Sequence, residues 1–427
     1  MIASEDTTPV SEKNKMSRLD ETTIRDDYAR IPFALFRDNS VFEAEQQAIF
    51  RGPTWHYLGI RAEIPQPGDF KTTWIGTAPI IVQHRQDGGI AAFLNRCAHR
   101  GAIVRRERFG HSATHTCVYH QWCYGETGAL AGVPFRRGLR GHGGMPEDFR
   151  QEDHPLTALR VAEFHGVLFG TFSAETEDLE TYMAPDMLAG MERIFPREVR
   201  VLGYTTQRVK SNWKLYAENL RDPYHASLLH LFHATFGLYR SSQRGGMKMD
   251  PTGRNSIVYT TTGTDTDPAE AFSNIRTYDS TFSLKDPGLL AGFDEFPDGR
   301  SLEIGTIFPG FVFQQIKNCL AIRHVVPLSH DGFDLHWTHF GYADDTPEQT
   351  AMRLAQANLV GPAGYVSMED AEACELVQRA IAGTEDGRSV IEMGGRAIGG
   401  ADHLVTESTI RGFWKAYATI MGLEVRP

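Results

Sequence analysis

The stretch Asn212 to His230, NWKLYAENLRDPYHASLLH, sets Glu218, Asn219, Asp222, His225 and His230 within thirteen residues, among apolar positions. Two imidazoles five residues apart, with a carboxylate just upstream, are donors that suit iron when one face of the metal stays open. An α-helix turns about 100° per residue, so on a regular helix His225 and His230 stand roughly 140° apart. Both reach one ion only if the helix widens or breaks between them, as π-type distortions at functional sites do. Asp222 and His225 are three apart and share a face without distortion. Taken alone, the stretch also reads as a buried amphipathic helix whose histidines are satisfied by backbone carbonyls.

A second group of donors lies upstream. NRCAHRGA holds Cys97 and His99, CVYHQW holds Cys117 and His120, and seventeen residues separate His99 from Cys117. One cysteine and one histidine on each of two hairpin tips bring four ligands to one point. Zinc is the alternative, but zinc modules usually place Cys with Cys and His with His at each knuckle. The CxH…CxxH order fits a [2Fe–2S] centre of the Rieske kind, with thiolates on one iron and imidazoles on the other. Gly101 and Gly125 are expected to ease tight turns around it. Trp122, beside His120, either covers the cluster from water or is a plain core tryptophan.

These donors need elements to hold them. From Pro32 to Phe50 the apolar spacing predicts an early helix. WHYLGI, TTWIG, PIIVQH, IAAFLN and GVLFGTF predict short strands, with turn signals at Pro65 to Gly68 and at Gly88-Gly89. Residues 45–172 therefore read as a small all-β domain with two protruding loops. Residues 1–44 read as a lead-in, disordered to about residue 25, followed by a helix of the domain that holds the histidine stretch, and 173–427 as the rest of that domain. SIVYTTTG, SLEIGTIF, FVFQQIKN, LAIRHVVPL and FDLHWTHFGY predict antiparallel strands of a large sheet. The acidic, turn-rich run 265–299 between the first two reads as a lid or as disorder. Thr346-Pro347 caps a helix over EQTAMRLAQANLV, and TIRGFWKAYATIM forms a last amphipathic helix.

Bulk properties narrow the classes. A chain of 427 residues allows two or three domains, and 41% apolar with 23% charged residues is an ordinary globular composition. The net charge of −11 argues against nucleic-acid or anionic-membrane partners. No apolar run approaches the ~20 residues of a spanning helix, and MIASEDTTPVSEKNK lacks a signal-peptide pattern, so a cytoplasmic protein is expected. Five cysteines without scaffold spacing argue against a disulfide framework. Cys123, Cys319 and Cys374 read as small core residues. GGRAIGG lacks the strand context of a dinucleotide site, so electrons must come from separate partners.

CAHRG with CVYHQW, followed by NWKLYAENLRDPYHASLLH, resembles the large (α) subunit of the Rieske non-haem iron aromatic-ring-hydroxylating oxygenases. The likeness continues through GVPFRRG, GGMPEDF, GPAGYVSMED, VIEMGG and RGFWKAY. Within the family it is most similar to enzymes of aromatic carboxylates: the anthranilate, salicylate, ortho-halobenzoate and terephthalate oxygenases. The fold class expected is α+β, a Rieske-type all-β iron–sulfur domain plus a catalytic domain with an antiparallel sheet covered by helices. The cofactors implied are a [2Fe–2S] cluster on Cys97, His99, Cys117 and His120, and a mononuclear Fe(II) on His225, His230 and Asp370. Glu369 competes with Asp370, and Ser367 to Asp370 also reads as a capping box opening a helix.

The resemblance further implies that Asp222 hydrogen-bonds His225 in its own subunit and a cluster histidine, His120 of the partner subunit, linking two metal centres. A first-turn helix aspartate is the alternative. Asn219 lines the iron pocket or is an inward structural asparagine. Arg323 sits inside the apolar run LAIRHVVPL, where a lone buried guanidinium is costly unless a substrate carboxylate meets it with a bidentate fork. A solvent-facing position or an internal salt bridge would explain it equally. With no second arginine on this strand, a monocarboxylate is favoured over a dicarboxylate. The implied partners are a small β subunit, a ferredoxin and/or an NAD(P)H-dependent reductase, O2 and an aromatic acid, in a trimeric α or α3β3 core. The expected function is ring hydroxylation of an anthranilate-, salicylate- or ortho-substituted-benzoate-type acid. Terephthalate oxidation is the alternative within the family. A zinc-stabilised binding protein and a non-catalytic Rieske electron carrier are the rivals outside it.

Overall fold

The computed structural model describes residues 22–236, 238–264, 281, 285, 287–384 and 386–427. The short β-rich runs of the first half become β1 (His56–Ile60), β2 (Asp69–Ile75), β3 (Ala78–His84), β4 (Ile90–Leu94), β5 (Phe109–His111), β9 (Ala158–Phe164) and β10 (Val167–Thr171). They pair antiparallel in the order β1-β10-β9-β4-β3-β2-β5. The Gly88-Gly89 turn closes the β3–β4 hairpin through Arg85 N to Gly89 O. Three shorter strands, β6 (Thr114–Thr116), β7 (Cys123–Gly125) and β8 (Leu130–Gly132), form a separate sheet. This small sheet shares a core of Phe70, Ile81, Phe93, Tyr124 and Leu130 with Cys97, Cys117 and Trp122.

The second half builds a seven-stranded antiparallel sheet from β11 (Val199–Val209), β12 (Gln243–Met249), β13 (Ser256–Thr264), β14 (Arg300–Ile307), β15 (Phe311–Ile316), β16 (Cys319–Ser329) and β17 (Gly332–Tyr342). Its order is β11-β17-β16-β15-β14-β13-β12. β15 is buried along its whole length and β16 along most of it, because both faces are covered. Side chains alternate across a strand, so Leu320 and Ile322 of β16 pack with the methionines of α3 (Leu179–Ile194) and with Tyr57 of β1. Ala321 and Val325 point the other way, toward α4 (Trp213–Asn219) and α8 (Tyr365–Ile381). Arg323 shares that second parity, so it faces the helices that carry the iron-type donors. The architecture is the α+β arrangement expected.

The early helix is two helices, α1 (Ala34–Arg37) and α2 (Asn39–Ala48). Asp38 separates them in an extended conformation and accepts a hydrogen bond from Ser40 N at 2.8 Å, capping α2. Ile24 is fully buried and bridges Val425 in parallel, so order begins before residue 25. Of the run read as a lid or disorder, residues 265–280 lie outside the described residues. Its later part is tied down: Glu295 pairs with the buried Arg353, and Asn318 Oδ1 accepts from Phe293 N at 3.0 Å.

Glu45 of α2 is fully buried and forms an ion pair with the equally buried Lys214 of α4. It also accepts from Trp213 Nε1 at 2.8 Å and from Tyr417 of α9 (Ser408–Met421) at 2.6 Å. Burial lowers the Lys214 pKa and Glu45 opposes that shift. Chain preceding the β-domain thus packs against chain following it. Glu45→Ala would leave an ammonium buried without its partner, a loss of about 3–5 kcal/mol. Thermal unfolding should record a fall of roughly 10 °C in Tm; an unchanged Tm would show the pair to be dispensable.

Candidate metal centres and active site

The histidine stretch is resolved by breaking the helix. α4 ends at Asn219, and Asp222 starts α5 (Pro223–Leu229) by accepting from Tyr224 N at 2.8 Å and His225 N at 3.2 Å through Oδ1. Pro223 follows at the first helical position, where no N–H is needed. α5 stops after Leu229, and His230 (φ −87°, ψ 73°) is the joint to α6 (Leu231–Thr235). No π-turn is used. The break brings the His225 and His230 rings to 5.3 Å between centroids.

α8 supplies the carboxylate. The helix begins at Tyr365 behind Gly364, so Ser367 is not its cap and the capping-box reading is corrected. Ser367 Oγ instead donates to Gln207 Oε1 at 2.7 Å. Asp370 Oδ1 lies 3.3 Å from His225 Nε2 and 3.1 Å from His230 Nε2. One donor atom from each of the three falls within 4.8 Å of the others. Glu369 Oε2 sits 2.8 Å from His230 Nδ1, the ring nitrogen facing away from that cluster. Asn219 Nδ2 donates to Asp370 Oδ1 at 3.0 Å. Asp222 Oδ2 is 3.3 Å from His225 Nδ1, close enough for ion pairing but off the line of a good hydrogen bond.

Burial opposes charge on both imidazoles, yet Asp222 and Asp370 overcome it and hold His225 up to about 10. His230 is raised as well, against burial, by Asp370 and Glu369. Burial pushes Asp370 up, and the two imidazoles more than reverse this, holding it well below the usual carboxylate range. Such a site keeps protons between its carboxylates until a metal takes their place. His233 on α6 differs: burial, then His230 beside it, lowers it to about 3.

These residues open onto one cavity, which His233 and Arg323 also line together with an apolar wall of Val258, Leu302, Ile304 and Ile316. Arg323 is 3% exposed, so it is not solvent-facing, and among the described residues no carboxylate lies within ion-pair distance of it. Nε donates to Gln314 Oε1 at 2.6 Å, Nη2 donates to the same oxygen, and Nη1 donates to Tyr216 Oη at 3.0 Å. The guanidinium packs 4.6 Å from the Trp337 ring centroid. Among the described residues three of its five N–H donors are engaged, and two remain.

The β-domain presents the other donors on paired turns. Gly101 N donates to Cys97 O and Gln121 N to Cys117 O, both at 2.9 Å, and Gly101 takes the left-handed φ of 74° that the first turn requires. Gly125 does not play that part. It is a strand residue of β7, and Gly128 (φ 81°) turns the chain instead. The His99 and His120 rings stand 4.6 Å apart, and Trp122 stacks on His99 at 4.9 Å with 6° between planes. Both thiols are buried, and His99 Nδ1 is buried without a partner among the described residues. Two buried thiols and an orphaned imidazole nitrogen on facing loops fit a [2Fe–2S] cluster. Tyr124, invisible as a site residue in the sequence, accepts from Ala98 N at 2.9 Å and lies 3.2 Å from Cys97 Sγ. Burial, then the two cysteines, raises its phenol.

Fold and donors together define an iron–sulfur β-domain joined to a second, mononuclear metal centre. Residues 54–143 match the family described as Rieske [2Fe-2S] domain, and 196–423 that described as ring hydroxylating alpha subunit (catalytic domain). Anthranilate 1,2-dioxygenase large subunit of Burkholderia cepacia is 48% identical over 93% of this chain and 94% of its own. Terephthalate 1,2-dioxygenase terminal oxygenase component subunit alpha 2 of Comamonas sp. is 46% identical over 93% and 96%. A solved naphthalene 1,2-dioxygenase from Rhodococcus sp., bound to indole, shares the fold at a TM-score of 0.74 and 23% identity, covering 92% of this chain and 94% of that one. The chain belongs to the Rieske ring-hydroxylating oxygenases, as a large (alpha) subunit. It is an oxidoreductase of a family that carries a [2Fe–2S] cluster and a mononuclear iron. Among the described residues no helix is long and apolar enough to cross a membrane.

Proposed function

We propose that this subunit hydroxylates a small aromatic monocarboxylic acid, and the observation that carries the reading is Arg323. A buried guanidinium with two idle donors, facing a cavity shared with three iron-type ligands, suits an incoming carboxylate. The names of the two relatives support the class, since terephthalate and anthranilate are both aromatic acids. Arg323 is the one Arg or Lys lining the cavity among the described residues, which favours one carboxylate over two.

A [2Fe–2S] cluster supplies single electrons when bound, and a ferrous ion supplies activation of O2. Cys97, His99, Cys117 and His120 would hold the first, and His225, His230 and Asp370 the second. Glu369 fixes the His230 tautomer from the far nitrogen, and Asp222 sets a negative charge beside the corresponding nitrogen of His225. Asp222 also stands as the link toward the cluster of a neighbouring subunit. Asn219 steadies the Asp370 oxygen, a positioning task rather than a substrate contact. Gln314 and Tyr216 aim the Arg323 fork, while the apolar wall receives the ring and keeps water out. A small β subunit, a ferredoxin and/or an NAD(P)H-dependent reductase and a trimeric core complete the system, which we place in the cytoplasm.

Arg323→Leu tests the reading. The apparent KM for 2-aminobenzoate should rise by about tenfold to a hundredfold, the worth of a charge-assisted pair. Toluene, having no carboxylate, should be affected little. Equal effects on both would remove Arg323 from substrate binding.

A further inference from the structure

The cavity has a second polar group that neither metal centre uses. His233 is 97% buried and lines the same space as Arg323, yet its Nε2 has no hydrogen-bond partner among the described residues. The break that turns His230 toward Asp370 also sets His233 three residues on, with the two ring centroids 6.2 Å apart. His233 lies outside the cluster of ligand atoms formed by His225, His230 and Asp370. Its backbone carbonyl is already occupied, accepting from Leu238 N and Tyr239 N. Buried polar atoms left without partners are rare and costly, and a phenylalanine would fill this place without that cost. The orphan nitrogen therefore points to a partner that arrives with the ligand.

We infer that His233 is a specificity-determining residue, reading a hydrogen-bonding substituent such as an amino or hydroxyl group on the ring of the aromatic acid. This deepens, and rests on, the carboxylate reading of Arg323. An imidazole nitrogen either carries a hydrogen or offers a lone pair, and an –NH2 or –OH group complements both. A methyl group of similar size complements neither. Sites built to hydrogen-bond such a group reject the analogue lacking it far more strongly than apolar pockets reject a misfit. Arg323 anchors one end of the acid and His233 reads a second position on the ring.

The test is calorimetric binding to the iron-loaded holoenzyme without reductant, using benzoate, toluene and the 2-, 3- and 4-isomers of amino-, hydroxy- and methylbenzoate. At one ring position or more, the amino or hydroxy acid should bind at least tenfold more tightly than its methyl counterpart. His233→Phe should weaken that acid at least tenfold more than it weakens benzoate, with iron content retained, and His233→Gln should restore part of the preference. Equal binding of methyl and polar isomers at every position by the unmodified protein would overturn the inference while leaving Arg323 its role. So would a His233→Phe protein that weakens all benzoates alike. Binding of toluene as tightly as benzoate would instead sink the carboxylate reading, and this inference with it. The wild-type series alone decides the matter if the Phe variant does not fold.

Discussion

Asp222→Asn is expected to retain both the cluster irons and the single iron while losing at least about a hundredfold in turnover. The reason lies in the two oxygens doing different work. Oδ1 caps α5 through Tyr224 N and His225 N, and an asparagine carbonyl keeps both bonds. Oδ2 faces His225 Nδ1 at 3.3 Å, and there the substitution puts an amide N–H2. With its Nε2 lone pair given to a metal, His225 would carry its ring hydrogen on Nδ1, so two donors would oppose each other. The anionic link proposed toward a neighbouring cluster would be lost in the same change. Iron and acid-labile sulfide analysis, beside turnover with a competent reductase, reads the two parts separately. Normal turnover in this variant would end the bridging assignment. Asp222→Ala, which also removes the cap, should cost about a further 1 kcal/mol of stability.

The second large effect is at Asp370. Asp370→Ala removes the one carboxylate that both Nε2 atoms face, leaving two imidazoles and no anionic ligand. Mononuclear iron should fall to background and turnover with it, while the cluster's visible absorption persists. Glu369→Gln is the matched control. It still meets His230 Nδ1 from outside the ligand cluster, and a loss of about tenfold is expected. The reverse outcome, with iron retained in Asp370→Ala and lost in Glu369→Gln, would exchange their roles.

Much of this site was legible in the chain because its donors come in short-range groups. The Cys-His pairs lie on single turns, and the β-rich run IAAFLN before the first of them is set off by the Gly88-Gly89 turn. The choice between Asp370 and Glu369 was legible in principle: Val366, Ser367, Asp370, Ala371, Cys374 and Gln378 form the buried stripe of α8, and Glu369 sits off it. Starting the helix at Ser367, as the capping-box alternative does, leaves Val366 out of that stripe. The manner in which His225 and His230 converge was not legible, since a break and a π-turn satisfy the same spacing. Nor were Gln314, Tyr216 and Tyr124, whose partners lie on other strands and helices. Long-range pairing of this kind has no signature in a local window. The single early helix failed for a local reason instead, because Asp38 makes a better cap than a helix interior residue.

The stitch at Glu45 has a consequence for biosynthesis. Its partners are Lys214, Trp213 and Tyr417, and Ile24 bridges Val425. A ribosome delivers those groups hundreds of residues apart, so α2 must wait, an unsatisfied acid on its inner face, until the 408–421 helix has emerged. Although β1 and β10 pack against the later sheet, the core around Cys97 and Cys117 draws only on residues 70–156 and has no such delay. Iron–sulfur loading can therefore begin on the nascent chain, before the pocket for the lone iron exists.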